Sequence, residues 1–240
     1  MRVAICISGQ SRDVKNTIDN IKNCWQNYDQ LDFFVHTWIN PDRKPFRPDT
    51  PSDFSENDID LIIDRLIPKS ILVEYPKKFN KEYVDSTNWG CYHPTKNPNP
   101  SQNIQSMFYS ICMANSLKKK YELENNFTYD CVIRCRFDYF FTKKYDLKTF
   151  DLNSLNTKSD CTHTEYAIND HLALSNSKIM DKYCDVFFNL EEYYKIGIEF
   201  NPEVILGYHI LNNNIGVIKS LGSDESYVST KQERERNINV

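Results

Sequence analysis

"RVAICISGQSRDVKNTIDNIKNCWQNYDQLDFFVHTW", Arg2 to Trp38, decides the fold class. Its opening run, Arg2 to Ser8, is apolar and rich in β-branched residues, and it stops at the polar turn "GQSRD", which contains Gly9. Val14, Ile18, Ile21 and Trp25 then recur at helical spacing. Leu31 to Trp38 is a second apolar run. A strand, a loop, a helix and another strand within about forty residues are the signature of a parallel α/β sheet.

The alternation continues outward from this unit. "ENDIDLIIDRLI", Glu56 to Ile67, is amphipathic, and "SILVEYP", Ser70 to Pro76, reads as the next strand. Ile104 to Glu124 is the longest predicted helix and leads into "YDCVIRCRFDYFF", Tyr129 to Phe141, which reads as a core strand. "DCTHTEYAINDHLALSN", Asp160 to Asn176, holds one or two short strands. Ser177 to Tyr194 predicts a helix with Ser177 as its N-cap. Asn201 to Asn214 predicts another with Pro202 in its first turn, and "IGVIKSL" is a late strand. The Pro- and Asp-rich stretch Asn40 to Ser55 is a loop. The polar and aromatic stretch Asn80 to Asn103 is of the length that serves as a functional lid, with Trp89, Tyr92 and His93 as its aromatic faces. The expected organisation is one domain over residues 1–222 and a loosely ordered polar tail over 223–240.

Composition narrows the class of partner. The chain has 240 residues, a net charge of -4 and no basic stripe interleaved with aromatics, which argues against nucleic acid. The only basic triplet, Lys118 to Lys120, reads as a solvated helix face. The eight cysteines lie mostly among apolar neighbours, where Cys acts as a small buried hydrophobe, and their spacing matches no zinc site. The apolar run at the N-terminus is too short for a signal peptide, and no run approaches a membrane span. A reducing cytoplasm is the expected compartment.

Four constellations could carry chemistry. In open α/β sheets ligands bind at the carboxyl ends of the strands, so the first turn offers Ser8, Gly9, Gln10, Ser11 and Arg12 to a nucleotide or phosphate. Within "YDCVIRCRFDYFF", period-two alternation puts Arg134, Arg136 and Asp138 on one face. That face is either a structural salt-bridge network or a site in which an arginine grips a diphosphate and Asp138 binds a divalent ion or ribose hydroxyls. The third is Asp170 with His171, after Asn169. The fourth is Glu203 in the first turn of a helix, with His209 further along it.

The order of these pieces resembles a group of viral and bacterial glycosyltransferases. Their shared features are an "SGQxR" start, a second strand ending in "HTW", an "RxRxD" strand and a late helix opening with "PE". The resemblance spans roughly residues 1–220. It implies a GT-A-like, Rossmann-like fold: a mixed, mostly parallel sheet flanked by helices. It also implies a nucleoside-diphosphate sugar donor, such as a UDP-sugar, and a hydroxyl acceptor on a glycan or glycoconjugate. On that basis Ser8, Gly9, Gln10, Arg12, Arg134, Arg136 and Asp138 are donor-binding candidates. The family's Asp-x-Asp motif aligns with "RCRFD", which keeps Asp138 and has Arg136 where the first acid would stand. A Mg²⁺ or Mn²⁺ ion, if used, would fall to Asp138, with His209 as the late His ligand. Asp170 and Glu203 compete as the base that deprotonates the acceptor. Two other readings share the scaffold: a non-catalytic nucleotide-sugar or glycan-binding protein, and a nucleotidyltransferase.

Overall fold

Strand β1 (Arg2–Gln10) lies inside the sheet because both of its faces are apolar: Val3, Ala4, Ile5, Cys6 and Ile7 are all buried. The computed structural model describes residues 1–39, 57–83, 100–158, 166–222 and 226–228. After β1 come α1 (Val14–Asn23), β2 (Trp25–Gln26), β3 (Gln30–Trp38), α2 (Asn57–Leu66), β4 (Ser70–Glu74) and α3 (Pro100–Asn125). Then follow β5 (Cys131–Cys135), β6 (Tyr139–Phe141), β7 (Tyr145–Asp146), β8 (Leu155–Lys158) and β9 (Leu172–Ser175). The chain continues through α4 (Ser177–Cys184), α5 (Leu190–Lys195), α6 (Pro202–Asn212), β10 (Val217–Leu221) and β11 (Ser226–Val228).

Seven strands form one sheet in the order β10-β8-β9-β5-β1-β3-β4. All neighbouring pairs are parallel except those of β9, which runs antiparallel to both β5 and β8. This is a mixed, mostly parallel α/β sheet flanked by helices, as the opening β-α-β unit predicts. Alternation along the strands builds two cores. Val3, Ile5, Ile7, Ile133 and Cys135 meet Ile18, Ile21, Ile62 and Leu66 from α1 and α2. Ala4, Cys6 and Val132 meet Phe108, Ile111, Met180 and Ile205 from α3, α4 and α6.

Several expectations need correction. The stretch Tyr129 to Phe141 is not one strand: β5 stops at Cys135, residues 136–138 turn, and β6 begins at Tyr139. The helix expected over Ser177 to Tyr194 is α4, a 3-10 turn over Asp185–Asn189, and α5. Its cap is Asn176, whose side chain accepts from the Ile179 N–H at 3.0 Å. Lys118 is not solvated. It is fully buried, with Nζ bonded to the Ser177 hydroxyl, 2.8 Å from Asp181 and 3.1 Å from Glu122, so only Lys119 and Lys120 face water. Three opposed polar groups offset the cost of burying that ammonium. The polar tail contributes β11, which pairs antiparallel with β6. Strand β8, "LNTK", has no apolar alternation and was not foreseen; its polar side chains are buried because β9 and β10 flank it.

The described cysteines, Cys6, Cys24, Cys112, Cys131, Cys135 and Cys184, are buried free thiols, in line with their apolar neighbours. Burial pushes the thiol pKa of Cys6, Cys131 and Cys135 up to about 12, which keeps them protonated and unreactive. Cys91 and Cys161, and the aromatic residues Trp89, Tyr92 and His93, lie outside the described residues.

Helix α6 touches the segment before β9 without a side chain between them. A Cβ on Gly207 would stand 1.9 Å from the carbonyl oxygen of Tyr166. Gly207→Ala therefore forces backbone apart, and it is expected to lower the unfolding free energy in urea by about 1–3 kcal/mol.

Candidate functional site

The carboxyl ends of β1 and β5 meet side by side, with Cys6 opposite Arg134 and Ile7 opposite Cys135. Beyond β1, Gly9 adopts φ +115, a conformation that disfavours any other residue. Among the described residues, a Cβ there would meet nothing within 4 Å. Beyond β5, helix α1 fixes the turn over 136–138. The Thr17 hydroxyl donates to the carbonyl of Phe137, and the Asn20 side chain bonds both the N–H and the carbonyl of Phe141 at 2.7 and 2.9 Å.

The two turns are joined through Asp138, which is 2% exposed. Arg136 grips both of its oxygens, from Nε at 2.8 Å and Nη2 at 2.7 Å. Arg12 approaches from the other turn, with Nη1 3.6 Å away. Gln10 braces Arg12 by accepting from its Nε at 3.2 Å and its Nη2 at 2.9 Å. Burial alone would raise the pKa of the Asp138 carboxyl. The charges of Arg136 and Arg12 outweigh that and hold it at about 2.

Next to this triad sits Arg134. Its side chain is 1% exposed, and among the described residues its Nε and Nη1 have no hydrogen-bond partner. The buried hydroxyls of Ser8, Ser11 and Thr37 are unpartnered as well. Ser8 and Thr37 stand near the ends of the paired strands β1 and β3, where Ser8 faces His36 and Gly9 faces Thr37. Buried polar groups are nearly always satisfied in folded proteins. Several unsatisfied donors at the carboxyl edge of one sheet are therefore suited to a ligand rich in acceptor oxygens.

The start of β9 arrives at the same edge because β9 runs against β5, with Leu172 opposite Cys135. Asp170 is buried, and one of its oxygens lies 3.2 Å from His171 Nε2. The Asn169 side chain accepts from the His171 N–H at 2.8 Å and shapes this turn. Burial, with Arg136 and Arg134 acting in the same direction against Asp170 and Asp138, lowers the His171 pKa to about 4. Lys158, at the end of β8, points its ammonium at the Tyr139 ring, 5.7 Å from the centroid, and that ring is 6.1 Å from the His171 ring. Among the described residues, Arg12, Arg134, Arg136 and Lys158 gather at this edge with Asp138 and Asp170.

Of the residues singled out from the sequence, Ser8, Gly9, Gln10, Arg12, Arg134, Arg136, Asp138 and Asp170 come together here. Glu203 lies in the first turn of α6, capped by Asn201, and its carbonyl accepts from the Ile168 N–H at 3.2 Å. It thus borders the segment that carries Asp170. His209 is engaged elsewhere. Its Nδ1 pairs with the Tyr193 hydroxyl at 2.7 Å and its Nε2 with the Lys182 carbonyl at 2.6 Å. Thr37 and Lys158 were not anticipated; the only trace of Thr37 was a polar residue inside the apolar run "FFVHTW".

The residues present do not fit the expected Mg²⁺ or Mn²⁺ ion. Both Asp138 oxygens face guanidinium groups, and both ring nitrogens of His209 are engaged within the protein. Among the described residues no group of three His, Cys, Asp or Glu side chains gathers as ligands. Nor is any described helix long and apolar enough to cross a membrane. No family model matches the chain, and no curated protein does.

The Asp138 triad makes a pH-dependent contribution to stability. A carboxyl whose native pKa lies below its ordinary 3.8 stabilises the fold above that pH, and the contribution is lost as pH falls toward 2. Asp138→Asn should cost about 2 kcal/mol at pH 7 in urea titrations, and the gap to the wild type should close between about pH 4 and pH 2.

Proposed function

We propose that the chain is a GT-A-like glycosyltransferase that moves a sugar from a nucleoside-diphosphate sugar to a hydroxyl acceptor. The observation that carries this reading is the buried, partly unpartnered guanidinium of Arg134 beside the Arg12–Asp138–Arg136 triad, at the carboxyl ends of β1 and β5. Breaking the bond between the anomeric carbon and the diphosphate leaves negative charge on the diphosphate. Preorganised donors aimed at that developing charge stabilise the transition state. Arg134 and the hydroxyls of Ser8 and Ser11 are such donors, while Asp138 keeps Arg12 and Arg136 oriented. The absence of a side chain at Gly9 lets the donor approach the backbone of the first turn. Fixed guanidinium groups here take on the neutralising task that an exchangeable cation performs elsewhere. The buried free thiols fit the reducing cytoplasm, which we propose as the compartment.

Thermal-shift measurements on the full chain with UDP, GDP, ADP, CMP and inorganic pyrophosphate, in excess EDTA, test the reading. At least one nucleoside diphosphate should stabilise the fold, by about 2.7 kcal/mol at a hundred times its Kd. No stabilisation by any of them would remove the donor site. Loss of sugar transfer in EDTA would restore a metal to the mechanism.

Arg134→Met separates function from folding. Replacing a buried, under-satisfied charge by an apolar group of similar length is often neutral or stabilising. The variant should melt no lower than the wild type and bind the nucleotide at least about tenfold more weakly. A stable variant with full affinity would exclude Arg134 from the site.

A further inference from the structure

Asp170 was expected as one of two candidate proton acceptors, yet its carboxylate is buried and faces His171 rather than open space. His171 is 27% exposed at its side chain, and its Nε2 lies 3.2 Å from an Asp170 oxygen. Its backbone N–H is fixed by Asn169. Its Nδ1 makes no hydrogen bond among the described residues. The ring stands against Tyr139 and within the fields of Arg134, Arg136 and Asp138. This is a histidine with one nitrogen 3.2 Å from a buried carboxylate and the other without a hydrogen-bond partner among the described residues, beside Arg134 and Arg136. An oriented base of this kind needs a third group to fix its ring and tautomer.

We propose that His171 is the catalytic base of the transfer reaction and that Asp170 is a positioning residue acting through it. The inference rests on the glycosyltransferase reading of the same site and assigns the acceptor side of it. A lone pair of the acceptor hydroxyl forms the new bond to the anomeric carbon. The bond from that carbon to the diphosphate oxygen breaks, and its electron pair leaves with the diphosphate. The hydroxyl proton passes to His171 Nδ1, and the imidazolium that results is paired with Asp170. The groups that set the proton affinity of His171 are Asp170 on its own turn, Arg134 on β5, and Arg136 and Asp138 on the following turn. Burial and the two arginines hold the ring neutral, the form that can accept a proton. A diphosphate lying against the same arginines cancels their field, so the base strengthens when the donor arrives.

Two measurements on the full chain test this. His171→Gln should lower release of UDP from UDP-sugars about 10²–10⁴-fold, with water or an added hydroxyl compound as acceptor, and leave UDP affinity within about threefold. Asp170→Asn should lower kcat with little change in KM. The second measurement is NMR of histidine-labelled protein, with the His171 signal assigned from the His171→Gln spectrum. Its titration midpoint should rise by at least one pH unit on saturation with inorganic pyrophosphate, and that rise should be absent from the other histidines. Full turnover by His171→Gln, or pyrophosphate binding with an unmoved His171 midpoint, would overturn the assignment while leaving the donor site intact. Failure of UDP, GDP, ADP and pyrophosphate alike to bind would bring down the donor site and this assignment together.

Discussion

The carboxylate of Asp138 ties together the turns that follow β1 and β5. It is buried between two guanidinium groups that come from different places. Arg136 shares its turn, and Arg12 reaches in from the turn after the first strand. Neither arginine could be half-buried at a strand end without a counter-charge, and Asp138 could not be buried without them. The interaction therefore aligns two connections that are far apart in sequence, which backbone ladder bonds alone would leave independent. Helix α1 supports it from one side by bonding the backbone around Phe137 and Phe141.

Stability and recognition pull in opposite directions at this edge. The triad is fully paired and steadies the fold. Arg134, Ser8, Ser11 and Thr37 are buried near the same strand ends, without hydrogen-bond partners for these side-chain atoms among the described residues. A sequence selected only for folding would replace them with apolar residues. Other unpartnered buried atoms, on Trp25, Asn115 and Asn201, are scattered through the fold, whereas these four residues stand near the carboxyl ends of neighbouring strands.

Much of this was legible in the sequence, and the failures share a cause. Strong period-two and helical patterns located β1, α1, β3, α2 and α3, because each buries ordinary apolar residues, while β4 and β10 were legible from apolar content although β4 is only half-buried and β10 buries Leu221 alone. The approach of "RCRFD" to "SGQSRD" followed from placing both at strand ends; "NDH" joins them because it leads into β9, which runs against β5. What stayed hidden depends on contacts between segments. Alternation put Arg134, Arg136 and Asp138 on one strand face, but a five-residue strand ends before two of them, and a bidentate i,i+2 ion pair shapes the turn. Lys118 looks solvated until α4 brings Asp181 against it. "LNTK" has no strand pattern of its own and is a strand because its neighbours make it one. His171 was visible beside Asp170, but the carboxylate was ranked above the imidazole because burial cannot be read from a tripeptide.

The reversed direction of β9 has a consequence for how such a site can change over time. Along the parallel strands, the residues at the site's edge are those where the chain leaves the sheet; at β9 they are those where it arrives. The half around Arg12, Arg134 and Asp138 and the Asp170–His171 half are thus built from opposite ends of strands, with separate connections feeding each. Insertions or substitutions before β9 can remodel one half while the turns after β1 and β5 keep their shape. Such an architecture lets one half diversify under selection while the other is inherited unchanged.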